Sequence, residues 1–116
     1  MPTPVITSGI ADGIEEFRSQ NYSAALPLLT AAARGGDAEA QCLLGNLYQL
    51  GLGNTAINSS KALRWYYRAA QQGYSEATSH LAGMVWPISR EAAAALNQLA
   101  QRQALVQATG VRATTA

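Results

Sequence analysis

The 116-residue sequence is poor in the residues from which reactive centres are built, with one cysteine, one histidine and few charges. Cys42 has no partner for an internal disulfide, and His80 is the only imidazole, so no Cys/His set with metal-ligand spacing exists. A structural zinc site is excluded on that count, and neither a metal nor a cofactor is expected. Charged residues make up 13% of the chain, about half the usual share, with eight Lys and Arg against seven Asp and Glu. A net charge of +1 supplies no electrostatic reason to hold a polyanion, so nucleic acid is not an expected partner.

Long apolar runs are missing as well. Nowhere do 18 apolar residues follow one another, and Met1-Pro2-Thr3-Pro4-Val5-Ile6 has neither the basic leader nor the apolar stretch of a secretory signal. The reading is a cytoplasmic protein that does not enter a membrane. Phosphate-cradling glycine motifs are absent too: Gly51-Leu52-Gly53 is not followed by Lys-Ser/Thr and lies between two helical patterns rather than after a strand. Cys42 and His80 lie one repeat apart, with no third group to orient them as a catalytic pair and no adjacent cation to lower the thiol pKa. Cys42 reads as a small, buried or half-buried hydrophobe, and no catalytic residue is expected.

What the sequence does have is an internal repeat. Ser23-Ala24-Ala25-Leu26 through Gly36 falls on Ser60-Lys61-Ala62-Leu63 through Gly73 at a constant offset of 37 residues. The same offset carries Glu39-Ala40 onto Glu76-Ala77 and Leu44 onto Leu81. Within each unit the apolar residues recur at three and four, as in Leu43, Leu44, Leu47 and Tyr48, or Ala62, Leu63, Tyr66, Ala69 and Ala70. That is the period of a helix, and no segment alternates over strand length. Asp37, Asn58 and Ser89 suit helix starts, Glu39, Glu76 and Glu91 favour the positive end of a helix, and Gly36, Gly51 and Gly73 suit helix exits. Six helices follow, near 8–20, 22–35, 37–50, 58–72, 74–86 and 89–107, paired as three hairpins. Pro27 is expected in the first turn or so of the second, where little hydrogen bonding is lost. Ala at 25, 32, 40, 62, 69 and 77 repeats in register with Gly45 nearby, and small residues of this kind let helix axes approach closely.

The stretch Asp37-Ala38-Glu39-Ala40-Gln41, with Leu44-Gly45-Asn46-Leu47-Tyr48 and Gly51-Leu52-Gly53, resembles the first half of a Sel1-like repeat, a relative of the tetratricopeptide repeats. Lys61-Ala62-Leu63-Arg64-Trp65-Tyr66-Tyr67-Arg68-Ala69-Ala70-Gln71-Gln72-Gly73 is similar to its second half, and Phe17 with Asn21 to Leu26 to a degenerate opening hairpin. Asn54 and Asn58 depart from the family pattern in the loop, and Val85-Trp86-Pro87 leaves it altogether. The resemblance implies an all-α fold, a short right-handed solenoid of three helical hairpins with an atypical capping helix at the C-terminal end. In it, residues 1–7 would be flexible, 8–36 the degenerate hairpin, 37–73 the clear repeat, 74–107 a partial repeat with its cap, and 108–116 a disordered tail. Leu96, Leu99, Leu105 and Val106 would give the cap its apolar contacts, and the Trp65-Tyr66 pair would pack inside.

The function so implied is non-catalytic: a partner protein or peptide held on the concave surface formed by the first helix of each pair. The register places Glu39, Cys42, Asn46 and Gln49 on that surface in the central hairpin, Glu76 and Ser79 in the next, and Ala11, Glu15 and Arg18 in the first. The partner segment would offer Lys or Arg and hydrogen-bonding groups. Trp86, where the pattern fails, is the candidate exposed aromatic anchor. Lys61, Arg64 and Arg68 share a helical face that reads as solvated, with a small patch reading anions as the alternative. One alternative is a homodimer or larger scaffold assembled through the Ala-rich last helix. Another is the small-ligand or hydrolytic activity of cysteine-rich members of the resembled family, whose repeated Cys pairs are absent here.

Overall fold

The structure, a computed structural model, describes residues 6–110. Their regular elements are all helices: α1 (Ile6–Arg18), α2 (Tyr22–Arg34), α3 (Ala38–Leu50), α4 (Ser59–Gln71), α5 (Ser75–Val85) and α6 (Arg90–Thr109). Each packs on the next, most extensively within the pairs α1/α2, α3/α4 and α5/α6, and α1 also touches α3. This is the all-α solenoid implied by the repeat. Its Cα radius of gyration of 15.1 Å exceeds the roughly 13 Å of a compact domain of this length, as stacking in one direction requires.

Local chemistry sets the helix ends. The Asp37 carboxylate accepts from the Ala40 amide at 2.9 Å, Asn58 from Lys61 at 3.0 Å and Ser89 from Ala92 at 3.1 Å, so three starts have the side-chain caps expected of them. The exits repeat in register. Gly36 and Gly73 have φ of 103° and 88°, and beyond each the chain turns back so that Asp37 N–H reaches the Ala32 carbonyl and Tyr74 N–H that of Ala69. In the loop between α3 and α4, Asn54 takes the left-handed φ that asparagine tolerates, and its amide donates to Ser23 Oγ at 3.2 Å. Asn54 therefore docks the loop on α2, while Asn58 caps α4.

Burial follows the same offset. Ala25 and Ala62, Leu29 and Tyr66, Ala40 and Ala77, and Leu44 and Leu81 are buried at both of their repeat positions. One core cluster, with Ile14, Leu29, Leu44 and Leu47 at its centre, fills the space among α1, α2 and α3. A second, of Cys42, Ala62, Tyr66, Ala69, Ala77 and Leu81, joins α3, α4 and α5. Trp65 is only half-buried, packed on the edge of the first cluster, while Tyr66 is fully enclosed.

Several expectations need correction. Ile6 and Thr7 lie in α1, and Ala108 and Thr109 in α6, although they fall in the segments expected to be flexible; 1–5 and 111–116 lie outside the described residues. Pro27 is the sixth residue of α2, past its first turn, so it removes an amide that would have bonded the Ser23 carbonyl. The cap α6 is not seated by Leu99 and Leu105, which are 40% and 64% exposed. Leu96 does pack on the second core cluster, Ala93 and Ala100 are buried, and amide side chains complete the contact. Gln103 Nε2 donates to the Ala70 carbonyl at 3.1 Å, its Oε1 accepts from the buried Thr78 hydroxyl at 2.5 Å, and Gln107 Oε1 accepts from Ser75 N–H at 2.6 Å.

Candidate functional site

The face built from α1, α3 and α5 carries most of the candidate residues, and the structure sorts them into four environments. At its first end Arg18, in the last turn of α1, meets Glu39, in the first turn of α3, at 3.6 Å. With their side chains 69% and 37% exposed, this pair is solvent-screened; it orients two side chains more than it stabilises the fold. Ala11 and Glu15 lie on the same helix as Arg18 and are exposed.

At the other end of α3, Asn46 and Gln49 are one helical turn apart, and both reach the Tyr66 hydroxyl. Their side-chain oxygens lie 2.5 and 2.6 Å from it. A phenol carries one proton and can donate it to only one of them. The other amide must turn its NH2 toward the phenolic oxygen or find its donor outside the protein, which leaves hydrogen-bonding capacity at this point of the surface. Tyr66 itself rises from α4, and the His80 ring of α5 stacks on it at 4.7 Å with an 18° tilt. Burial pushes the His80 pKa below its ordinary value, with Glu76 one turn away pulling in the opposite direction. The imidazole is therefore held neutral.

Cys42 does not belong to the accessible set. It is 1% exposed, enclosed by residues of α4 and α5 that include Ala62, Tyr66 and Ala77. Burial raises its pKa to about 12, and the nearby carboxylates of Glu76 and Glu39 add to the shift. The expected groove position is thus a core position, because the thiol lies in the core cluster that α3 shares with α4 and α5. A nucleophile so strongly protonated has no thiolate to offer at neutral pH. Among the described residues, no group of three or more His, Cys, Asp or Glu is arranged to hold a metal ion.

Glu76 and Ser79 lie further along, where α5 and α6 enclose a cleft of about 400 Å³ with Asn97 and Gln101 on its far wall. The candidate residues thus span an open polar surface and a separate cleft rather than one continuous groove. Trp86, just past α5, is 52% exposed, and the Arg90 guanidinium lies over its ring at 5.7 Å. Leu50, at the end of α3, and Gly83, near the end of α5, are exposed as well.

Two features escaped the register. Tyr66 belongs to a second helix of its pair, yet its enclosed hydroxyl bonds Asn46 and Gln49 of the first, and His80 lies against its ring. Glycine at 45 gives the signal, since a Cβ there would stand 2.7 Å from the Tyr66 ring. Missing bulk beside a buried aromatic marks a ring that crosses between helices.

The Sel1 repeat family model matches the chain twice, over residues 11–37 and 38–74, more than half of its length. Among solved structures, a Sel1 repeat protein from Oxalobacter formigenes is similar with a TM-score of 0.76 and 28% sequence identity, covering 82% of this chain and 39% of that one. The present chain therefore spans well under half the length of that neighbour. No curated protein matches the chain.

Proposed function

The chain belongs to the Sel1 repeat family, whose members generally serve as protein-interaction modules, and from that premise we propose that it holds a partner protein segment across the face of α1, α3 and α5 without catalysing a reaction. The observation that carries this reading is the contrast on that face: the half-buried amides of Asn46 and Gln49, held from beneath by the enclosed Tyr66 hydroxyl, present hydrogen-bonding groups, while the one thiol is buried and protonated. Glu15, Glu39 and Glu76 make the surface mildly acidic, which suits a segment with Lys or Arg among its polar groups. Trp86, half-exposed at the end of the array, supplies an aromatic anchor.

Photo-crosslinking in the source cell tests the surface without perturbing the fold. A photoreactive amino acid placed at Glu15 or Ser79, both exposed, should capture a partner protein, and one placed at Gln98 on the exposed side of α6 should not. Capture from Gln98 alone would overturn the proposal. A second reading, assembly of like chains through α6, is favoured by the uncovered Leu99 and Leu105. It requires a dimer in light scattering that Leu99→Glu with Leu105→Glu abolishes. Among the described residues no helix is long and apolar enough to cross a membrane.

A further inference from the structure

The charges of this protein are sorted by helix. Asp12, Glu15 and Glu16 lie on α1, Asp37 and Glu39 at the start of α3, and Glu76 on α5. The second helices of the first two pairs, α2 and α4, contain no acidic residue and carry Arg34, Lys61, Arg64 and Arg68. The sequence alone spreads these four along 35 positions, and the three on α4 read as a solvated face. The fold brings all four to one cavity between α2 and α4, about 200 Å³ in volume, with Tyr48 and Trp65 also in its wall.

Among the described residues, none of the four has a carboxylate partner. Among the described residues the ion pair Arg18–Glu39 stands elsewhere, and the two cations with an internal contact meet aromatic rings: Lys61 lies 5.1 Å from the Tyr48 ring centre and Arg68 5.0 Å from that of Trp65. Those rings hold the charged ends over the cavity without neutralising them. Four like charges around one cavity repel one another, and an anion entering it relieves that repulsion. The cavity lies on the side of the array formed by the second helices, away from the surface of the preceding proposal.

Dimensions decide what kind of anion fits. A cavity of about 200 Å³ is smaller than the roughly 300 to 1,000 Å³ that encloses a drug-sized ligand or cofactor, so it admits side-chain-sized groups. The row of cations is longer than one such group, since Lys61 and Arg68 are two helical turns apart, about 10 Å along the axis. Alternate side chains of an extended peptide emerge on one side at intervals of roughly 7 Å. Two or three carboxylates at alternate positions match the row, whereas a single free oxyanion leaves half of it unpaired. We propose that the cavity between α2 and α4 is a second docking site, which takes an extended acidic segment of a partner protein with Asp or Glu at alternate positions.

The test uses the full chain and a fluorescein-labelled peptide of alternating Glu and Ala, followed by anisotropy at low and at physiological ionic strength. The Glu peptide should bind and weaken as salt rises, and the same peptide with Gln in place of Glu should not bind. Arg64→Ala with Arg68→Ala should weaken binding by about tenfold or more, and Arg34→Ala with Lys61→Ala similarly, at unchanged melting temperature, because all four side chains are exposed. Arg64→Lys should retain most of the affinity. Three results would overturn the proposal: affinity indifferent to both double variants, equal or tighter binding of an oligothymidylate of matched charge, or displacement of the peptide by inorganic phosphate at peptide-like concentrations. A salt-sensitive oligomer of the chain, dissolved by Arg64→Ala with Arg68→Ala and blind to the peptide, would also overturn it, making a second copy the occupant.

Discussion

Tyr66 has almost no freedom at the residue scale. Its ring lies against Gly45, His80 stacks on it, and its hydroxyl is held by Asn46 and Gln49. Gly45→Ala would place a methyl 2.7 Å from a ring that cannot retreat, so it should lower unfolding free energy in urea by about 1 to 3 kcal/mol. Gly83, also within a helix, has nothing within 4 Å of a new Cβ, and Gly83→Ala should raise stability by about 0.5 to 1 kcal/mol. If both changes had the same sign, the ring contact would not be what Gly45 serves. Cys42 gives a second test. With its pKa raised to about 12 by burial, the thiol should resist a thiol-specific reagent at pH 8 in the native protein and react fully in denaturant. The register alone misplaced this residue for a definite reason: Cys42 is three residues from Glu39 and four from Asn46, which puts it on their helical stripe. A stripe says which residues share a flank but not how far neighbouring helices close over it, and here Cys42 falls in the core cluster with Ala62 and Tyr66 of α4 and Ala77 and Leu81 of α5.

For the elements, legibility depended on repetition. The 37-residue offset revealed α2 through α5 because the same small and apolar residues must be buried twice, as Ala25 with Ala62 and Ala40 with Ala77 are. Asp37 could be recognised as a cap from its chemistry alone, and Asp37→Ala should cost about 1 kcal/mol as measured by the shift of the urea midpoint. The last helix has no second copy to compare with, and its apolar pattern pointed to Leu96, Leu99, Leu105 and Val106, of which Leu96 does pack on the core while Leu99 and Leu105 stand exposed. The rest of its attachment uses Ala93, Ala100 and the amides of Gln103 and Gln107, and amide contacts leave no periodic trace. Gln103→Ala removes one partner each from the Ala70 carbonyl, which keeps Gly73 N–H, and the buried Thr78 hydroxyl, which keeps the Tyr74 carbonyl, a loss of about 0.5 to 1.5 kcal/mol per bond. Because each hairpin of a solenoid leans only on its neighbours, the loss should be local. Hydrogen exchange should quicken in α6 and leave α2 and α3 close to wild type; uniform acceleration would mean that the array unfolds as a single unit.

Over the whole molecule, the buried titratable groups gather where α3, α4 and α5 meet, and they resist ionisation from both sides of neutrality. His80 is pushed below its usual value by burial against Tyr66, against the pull of Glu76. As pH falls below about 6.5 the unfolded chain takes up a proton that the native imidazole resists, so stability is full above that point and declines on the acid side. Cys42 works in the opposite sense. Its thiol ionises near 9.0 when unfolded but at about 12 when native, so its share of stability is intact below pH 9 and is lost as pH climbs toward 12. Tyr66 and Tyr74, raised chiefly by burial, steepen the same alkaline decline. Stability should therefore form a dome with its plateau between about pH 7 and 9. Urea midpoints recorded from pH 5 to 10.5 for the wild type, His80→Phe and Cys42→Ala separate the two limbs. His80→Phe keeps a ring stacked on Tyr66 and should flatten the acid limb alone, whereas Cys42→Ala should flatten the onset of the alkaline limb alone. An acid slope unchanged in His80→Phe would show that this imidazole is hydrated in solution, and the stack that joins α4 to α5 would then be open.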